Sequence, residues 1–255
     1  MPASIPPVVI CDQATTASER VAKEIADLIR SRHEANKPTV LGLATGSTPI
    51  GVYRELVRLY REEGLSFSKV ITFNLDEYWG LESSHEQSYR RFMNQHLFEQ
   101  VDIPLWNTHV LQGKNVNPSL ECQAFETKIL AVGGVDLWLL GIGNNGHIAF
   151  NEPGSSVDSR TRLVNLTPST IVANSDGRFF KDPQDVPRCA LSAGIGTVRE
   201  ARRLIVLALG EGKASAVQNA LEGNFSPDNP ASMLQDHPHC TFVLDKGSSS
   251  ALNKN

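Results

Sequence analysis

Leu139-Leu-Gly-Ile-Gly-Asn-Asn-Gly-His147-Ile-Ala-Phe-Asn-Glu152-Pro153 is the stretch that decides how this chain folds. It joins the end of an apolar run to a glycine turn, and the turn to ionisable side chains. Val135 to Leu140 is nearly continuous in branched and aromatic residues, the pattern of a strand covered on both faces of a parallel sheet. Gly141, Gly143 and Gly146 then let the backbone turn sharply and approach a ligand closely. His147 and Glu152 are thereby delivered just beyond the carboxyl end of the strand, the edge at which open α/β sheets bind ligands.

The same grammar recurs along the chain. Thr39 to Leu43 reads as a buried strand, followed by Ala44-Thr-Gly-Ser-Thr-Pro49 and by helical spacing at Ile50, Tyr53, Leu56, Val57 and Tyr60. Thr48 is placed as an N-cap and Pro49 as the first helical residue. The loop is either a plain helix start or, through its free N–H groups and the positive end of the helix dipole, an anion cradle built from Thr45, Gly46, Ser47 and Thr48. Val70 to Leu75 is another strand, with Asp76-Glu77 at its end, and Leu204 to Leu209 is followed by Gly210-Glu-Gly-Lys213. Val8 to Ile10 and Thr241 to Leu244 read as strands, Ser88 to Phe98 as a helix, and Ala190 to Ile195 as the return to the sheet. Ser155 to Lys181 is polar and carries Arg160, Arg162 and Arg178, the composition of an excursion over a site. Alternating strands and helices predict an α/β fold: one domain over 1–255, doubly wound, mostly parallel and Rossmann-like, with a lid-like segment at 155–181.

Composition narrows the partners. The 255 residues are 40% apolar and 20% charged with a net charge of -4, which offers no basic footprint for nucleic acid. No apolar segment approaches the roughly 20 residues of a membrane span, and the start lacks the charged and apolar regions of a secretion signal, so a cytoplasmic location is expected. Cys11, Cys122, Cys189 and Cys240 are widely spaced without a C-x-x-C pair, so neither a disulfide framework nor a zinc ribbon is expected. A small molecule is the expected partner.

Gly141-Ile-Gly143-Asn-Asn-Gly146 matches G-x-G-x-x-G, yet Pro153 closes off the long helix that a dinucleotide fold opens there, and no acidic strand end follows at about 20 residues. Gly210 to Lys213 fails as a P-loop because Leu207 stands at the first glycine position. His237-Pro-His239-Cys240 lacks further ligands at zinc spacing, and Thr45-Gly46-Ser47 lacks the second glycine of a nucleophile elbow. What remains is a convergence at strand ends of an anion cradle, a lysine, a histidine and carboxylates. That set suits acid–base chemistry on a phosphorylated sugar, with the phosphate supplying remote binding energy.

Leu41-Gly-Leu-Ala-Thr-Gly-Ser-Thr-Pro49, Phe73-Asn-Leu-Asp-Glu-Tyr78, Gly141 to Pro153, Ser159-Arg-Thr-Arg162 and Gly210 with Lys213 closely resemble the glucosamine-6-phosphate deaminase family, in order and over nearly the whole chain. The resemblance implies conversion of glucosamine 6-phosphate and water to fructose 6-phosphate and ammonia, with no metal and no cofactor, by a monomer or small homo-oligomer. It implies that Asp76 is the base at C2, that His147 assists ring opening supported by Glu152 and Asn145, and that Thr45, Gly46, Ser47, Arg178 and Lys213 hold the phosphate. Many members carry Asp at the position of Asn145; an amide orients an imidazole but cannot stabilise its cation, which leaves that task to Glu152. Asp176-Gly177 look inserted before Arg178, and Val164 replaces a lysine of the allosteric members, implying an unregulated enzyme. A non-catalytic sugar-phosphate sensor and a lactonase or isomerase of a related phosphosugar are the alternatives.

Overall fold

The structure is a computed structural model, and it describes residues 6–175 and 180–253. Seven strands form the main sheet: β1 (Val8–Cys11), β2 (Thr39–Leu43), β3 (Val70–Asn74), β5 (Thr108–His109), β6 (Leu137–Leu140), β9 (Leu204–Ala208) and β10 (Cys240–Asp245). Their order is β1-β10-β9-β6-β2-β3-β5, and every neighbouring pair is parallel. This is the α/β doubly wound sheet expected from the strand pattern.

Side chains alternate across the sheet with a period of two, and the two faces pack into different clusters. Leu41, Leu43, Leu137, Leu139, Ile205 and Leu207 face helices α1 (Ala14–Glu34) and α2 (Ile50–Glu63). Trp138, Leu140, Leu204 and Val206 face α4 (Pro118–Ala131) and α7 (Ala214–Glu222). Burial on both faces is why these strands read as continuous apolar runs. Gly42 is required on β2, since a Cβ there would lie 1.7 Å from the Trp138 ring.

From β2 the chain winds outward through β3 to β5, then returns to the other side of β2 and winds through β6 and β9 to β10. Strand order therefore reverses between β2 and β6, and a crevice opens beyond their carboxyl ends. The sequence-derived candidates follow β3, β2, β6 and β9, four adjacent strands flanking that crevice.

Three expectations need correction. Cys189–Ser192 (β8) does not return to the main sheet; it pairs antiparallel with β4 (Asp76–Tyr78) and with β7 (Arg162–Asn165) in a separate three-stranded sheet. A short apolar run signals burial but not which edge it joins. The described residues of the 155–181 excursion include β7 and helix α5 (Pro168–Asn174), and Leu166, Ile171 and Phe180 pack with Tyr78 and Phe150. Ser88 to Phe98 is not one regular helix but α3 (Tyr89–Met93) running into a π-helical turn at Asn94–Phe98. Helix α2 starts at Ile50 with Pro49 in the capping position, and no side chain caps it.

Candidate active site

Asp76 opens β4 where the chain leaves β3 and is almost fully buried. Burial first, and the neighbouring Glu77 charge second, push its carboxyl up to about 8, because a desolvated anion beside a like charge is costly. A carboxylate so perturbed is a proton acceptor matched to neutral pH. Glu77 does different work. It accepts hydrogen bonds from the Tyr78, Tyr89 and Arg90 amides at 2.9, 3.0 and 3.1 Å and from Ser88 Oγ at 2.7 Å, so it caps α3. It borders a separate cavity with Arg90, Asn94 and Lys114.

The turn after β6 explains its glycines. A Cβ on Gly143 would meet the His147 ring at 2.2 Å, so the imidazole lies across a position only glycine allows. Gly146 has φ 81°, and a Cβ there would strike Asn229 Oδ1 at 2.0 Å. Ala149 is a non-glycine residue at φ 52°, a conformation costing about 1–2 kcal/mol. It is held by Phe150 N–H donating to Ser192 Oγ (3.1 Å) and by Asn151 Nδ2 donating to the Ile148 and Ala193 carbonyls (2.9 and 2.7 Å). Strain stored this way beside reactive groups is typical of functional sites.

Glu152 is buried and receives one donor on each oxygen: Asn145 Nδ2 on Oε2 at 2.8 Å, and the Thr170 hydroxyl on Oε1. Asn145 Oδ1 accepts from the His147 amide at 3.2 Å. His147 Nδ1 lies 3.7 Å from Glu152 Oε2 and makes no hydrogen bond among the described residues. Burial holds the imidazole below its ordinary pKa, Glu152 opposes this, and Lys213 adds to it. The ring is therefore neutral at neutral pH and ready to accept a proton.

Beyond β9, Gly210 turns at φ 85° and Lys213 Nζ donates to Asn144 Oδ1 at 2.7 Å, which places the ammonium beside the His147 turn. Asp245, at the end of β10, accepts the Gly210 amide on both oxygens at 3.0 and 2.9 Å and the Ser248 amide at 2.7 Å. Beyond β2, Tyr53 donates its hydroxyl to the Ala44 carbonyl. Gly46 has φ 90° with open space around its Cβ position, Thr45 is half-buried and Ser47 is exposed. Arg178, like Asp176 and Gly177, lies outside the described residues. Sequence reasoning missed Thr170, Ser192 and Asp245. Each acts through a contact between distant segments, and no spacing signals it. Among the described residues no three His, Cys, Asp or Glu side chains are grouped to hold a metal ion.

The model of the family described as glucosamine-6-phosphate isomerases/6-phosphogluconolactonase matches residues 12–243. Glucosamine-6-phosphate deaminase 1 of Giardia intestinalis is 54% identical over 89% of this chain and 83% of its own. Glucosamine-6-phosphate deaminase 2 of Bacillus subtilis (strain 168) is 48% identical over 89% and 91%. The solved structure of a monomeric glucosamine-6-phosphate deaminase superposes with a TM-score of 0.92 at 41% identity, covering 96% of this chain and 99% of that one. A 6-phosphogluconolactonase from Trypanosoma cruzi shares the fold at TM-score 0.76 and 22% identity, over 98% of each chain. By the extent of the match as much as by the strand ends it falls on, this chain belongs to the glucosamine-6-phosphate isomerase/6-phosphogluconolactonase family.

Proposed function

We propose that this protein is a deaminase that converts glucosamine 6-phosphate and water to fructose 6-phosphate and ammonia. What supports the mechanism is that a buried carboxylate held near 8 and a neutral imidazole beside Glu152 follow β3 and β6, the strands on either side of β2 at the crevice. The C2 proton of the sugar becomes labile only beside an open-chain carbonyl, so ring opening comes first. His147 takes the proton of the O1 hydroxyl and passes it to O5 as the C1–O5 bond breaks, and Glu152 stabilises the imidazolium between the two transfers. Asp76 then removes the proton from C2, leaving an enolamine, and returns it to C1. The resulting C2 iminium is hydrolysed by water, releasing ammonia. Neither a cofactor nor a metal enters any of these steps.

Thr45, Gly46 and Ser47, ahead of the uncapped start of α2, and Lys213 would hold the phosphate, with backbone N–H groups and an ammonium as its partners; Arg178 is the further cation proposed for it. The 155–181 segment is proposed as the cover of the crevice within one 1–255 domain. The working unit proposed is a monomer or small homo-oligomer, and the likeness to a monomeric deaminase of solved structure supports the monomer. No helix among the described residues is long and apolar enough to cross a membrane, and we place the enzyme in the cytoplasm without nucleic-acid or membrane partners. The test is ammonia release from glucosamine 6-phosphate and galactosamine 6-phosphate, with coupled detection of fructose 6-phosphate. Binding of either sugar without turnover would favour a sensor and sink the reading.

A further inference from the structure

The Glu152 carboxylate is held from two sides, and the second side comes from the excursion. An ionised carboxylate has no proton to give, so the Thr170 hydroxyl must donate its single proton to Glu152 Oε1. That hydroxyl in turn accepts from Thr167 Oγ1 at 3.2 Å, while the Thr170 amide donates to Thr167 Oγ1 at 3.3 Å. Thr167 is the N-cap of α5, so the donor is fixed in direction by the same turn that starts the helix. Thr170 is 6% exposed, and the next residue, Ile171, is packed with Tyr78 and Phe150. Asn145 Nδ2 occupies the other oxygen. With one donor per oxygen, from segments on either side of it, the carboxylate cannot rotate.

This matters because His147 Nδ1 is 3.7 Å from Glu152 Oε2, just beyond hydrogen-bond length. A small rotation of the carboxylate decides whether the pair forms when the imidazole takes up a proton, while Lys213 opposes that uptake from the end of β9. The structure assigns Thr170 as a positioning residue that holds Glu152 in register with His147 for ring opening. The inference rests on the deaminase reading and adds to it a residue of the excursion.

Thr170→Val and Thr170→Ala both remove the donor, one keeping the shape and one leaving space, and calorimetry selects whichever melts like the wild type. That variant should lose roughly ten- to a hundredfold in kcat, the worth of one hydrogen bond to a charged group. KM should stay within about twofold, because phosphate contacts are untouched. Thr170→Ser should restore kcat, and the loss should vanish when Glu152 is already Gln, because residues acting through one another are not additive. An unchanged kcat, failure of Ser to rescue, or the same loss in the Glu152→Gln background would overturn the assignment while the function stands. A wild-type protein that releases no ammonia would overturn both.

Discussion

Asp76→Asn should abolish ammonia release and stabilise the fold more strongly as pH rises. In the folded chain the Asp76 carboxyl sits at about 8 against an ordinary 3.8. Between those values the folded protein keeps a proton that the unfolded chain has released, so stability is fully present below about pH 4 and is lost as pH rises toward 8. At about 1.4 kcal/mol per unit, the loss at pH 7 amounts to about 4 kcal/mol. A neutral Asn carries no such dependence, and whatever its own buried amide costs is constant with pH. The gap in unfolding free energy between variant and wild type should therefore widen by roughly 1 kcal/mol per pH unit from about pH 4.5 to 7.5. In a chain of this size that corresponds to a melting difference growing by roughly 10 °C. Chemical unfolding at several pH values, alongside the ammonia assay on the same samples, reads both effects. Parallel stability curves would show that Asp76 is not desolvated, and wild-type ammonia release by the variant would show that it is not the base.

Lys213→Ala should raise KM roughly tenfold or more through a lost charged contact to phosphate, and should move the His147 imidazole titration upward, because Lys213 now holds it down. An unmoved His147 signal by NMR would contradict this. Gly143→Ala drives a methyl into the His147 ring; kcat should collapse and stability fall by about 1–3 kcal/mol, and near-normal turnover would mean the ring position is unimportant. Asn145→Asp replaces a donor to Glu152 by a second anion at hydrogen-bond distance, so melting at pH 7 should drop by the equivalent of about 1–3 kcal/mol, and an unchanged melting point would remove the role given to this amide. Val164 packs against the Tyr78 and Phe150 cluster and offers no cation, so rate curves should be hyperbolic with and without N-acetylglucosamine 6-phosphate; sigmoidal curves would refute an unregulated enzyme.

Much of the architecture was legible because β2, β6 and β9 are buried on both faces, which forces continuous apolar runs, and because glycine turns mark where those runs end. The three-stranded sheet was not legible: β4 and β8 are too short for periodicity to name their partner. Adjacent Asp76 and Glu77 looked equivalent in one dimension. In a strand they point to opposite faces, and only the packing decides that one is desolvated while the other is wrapped by the amides of α3.

By itself the sequence determined the strand ends at which the candidate site lies, the glycine turn beneath His147 and the family to which the motifs belong. Those are local properties, set by residue type and spacing. Only the tertiary structure decided that Thr170 and Asn145 share the Glu152 carboxylate and that Asp245 anchors the Gly210 turn. It also decided that the Asp76 carboxyl rises far above its ordinary value. Each depends on which distant segment excludes water from a group or offers it a donor, and desolvation and hydrogen bonding act through space rather than along the chain.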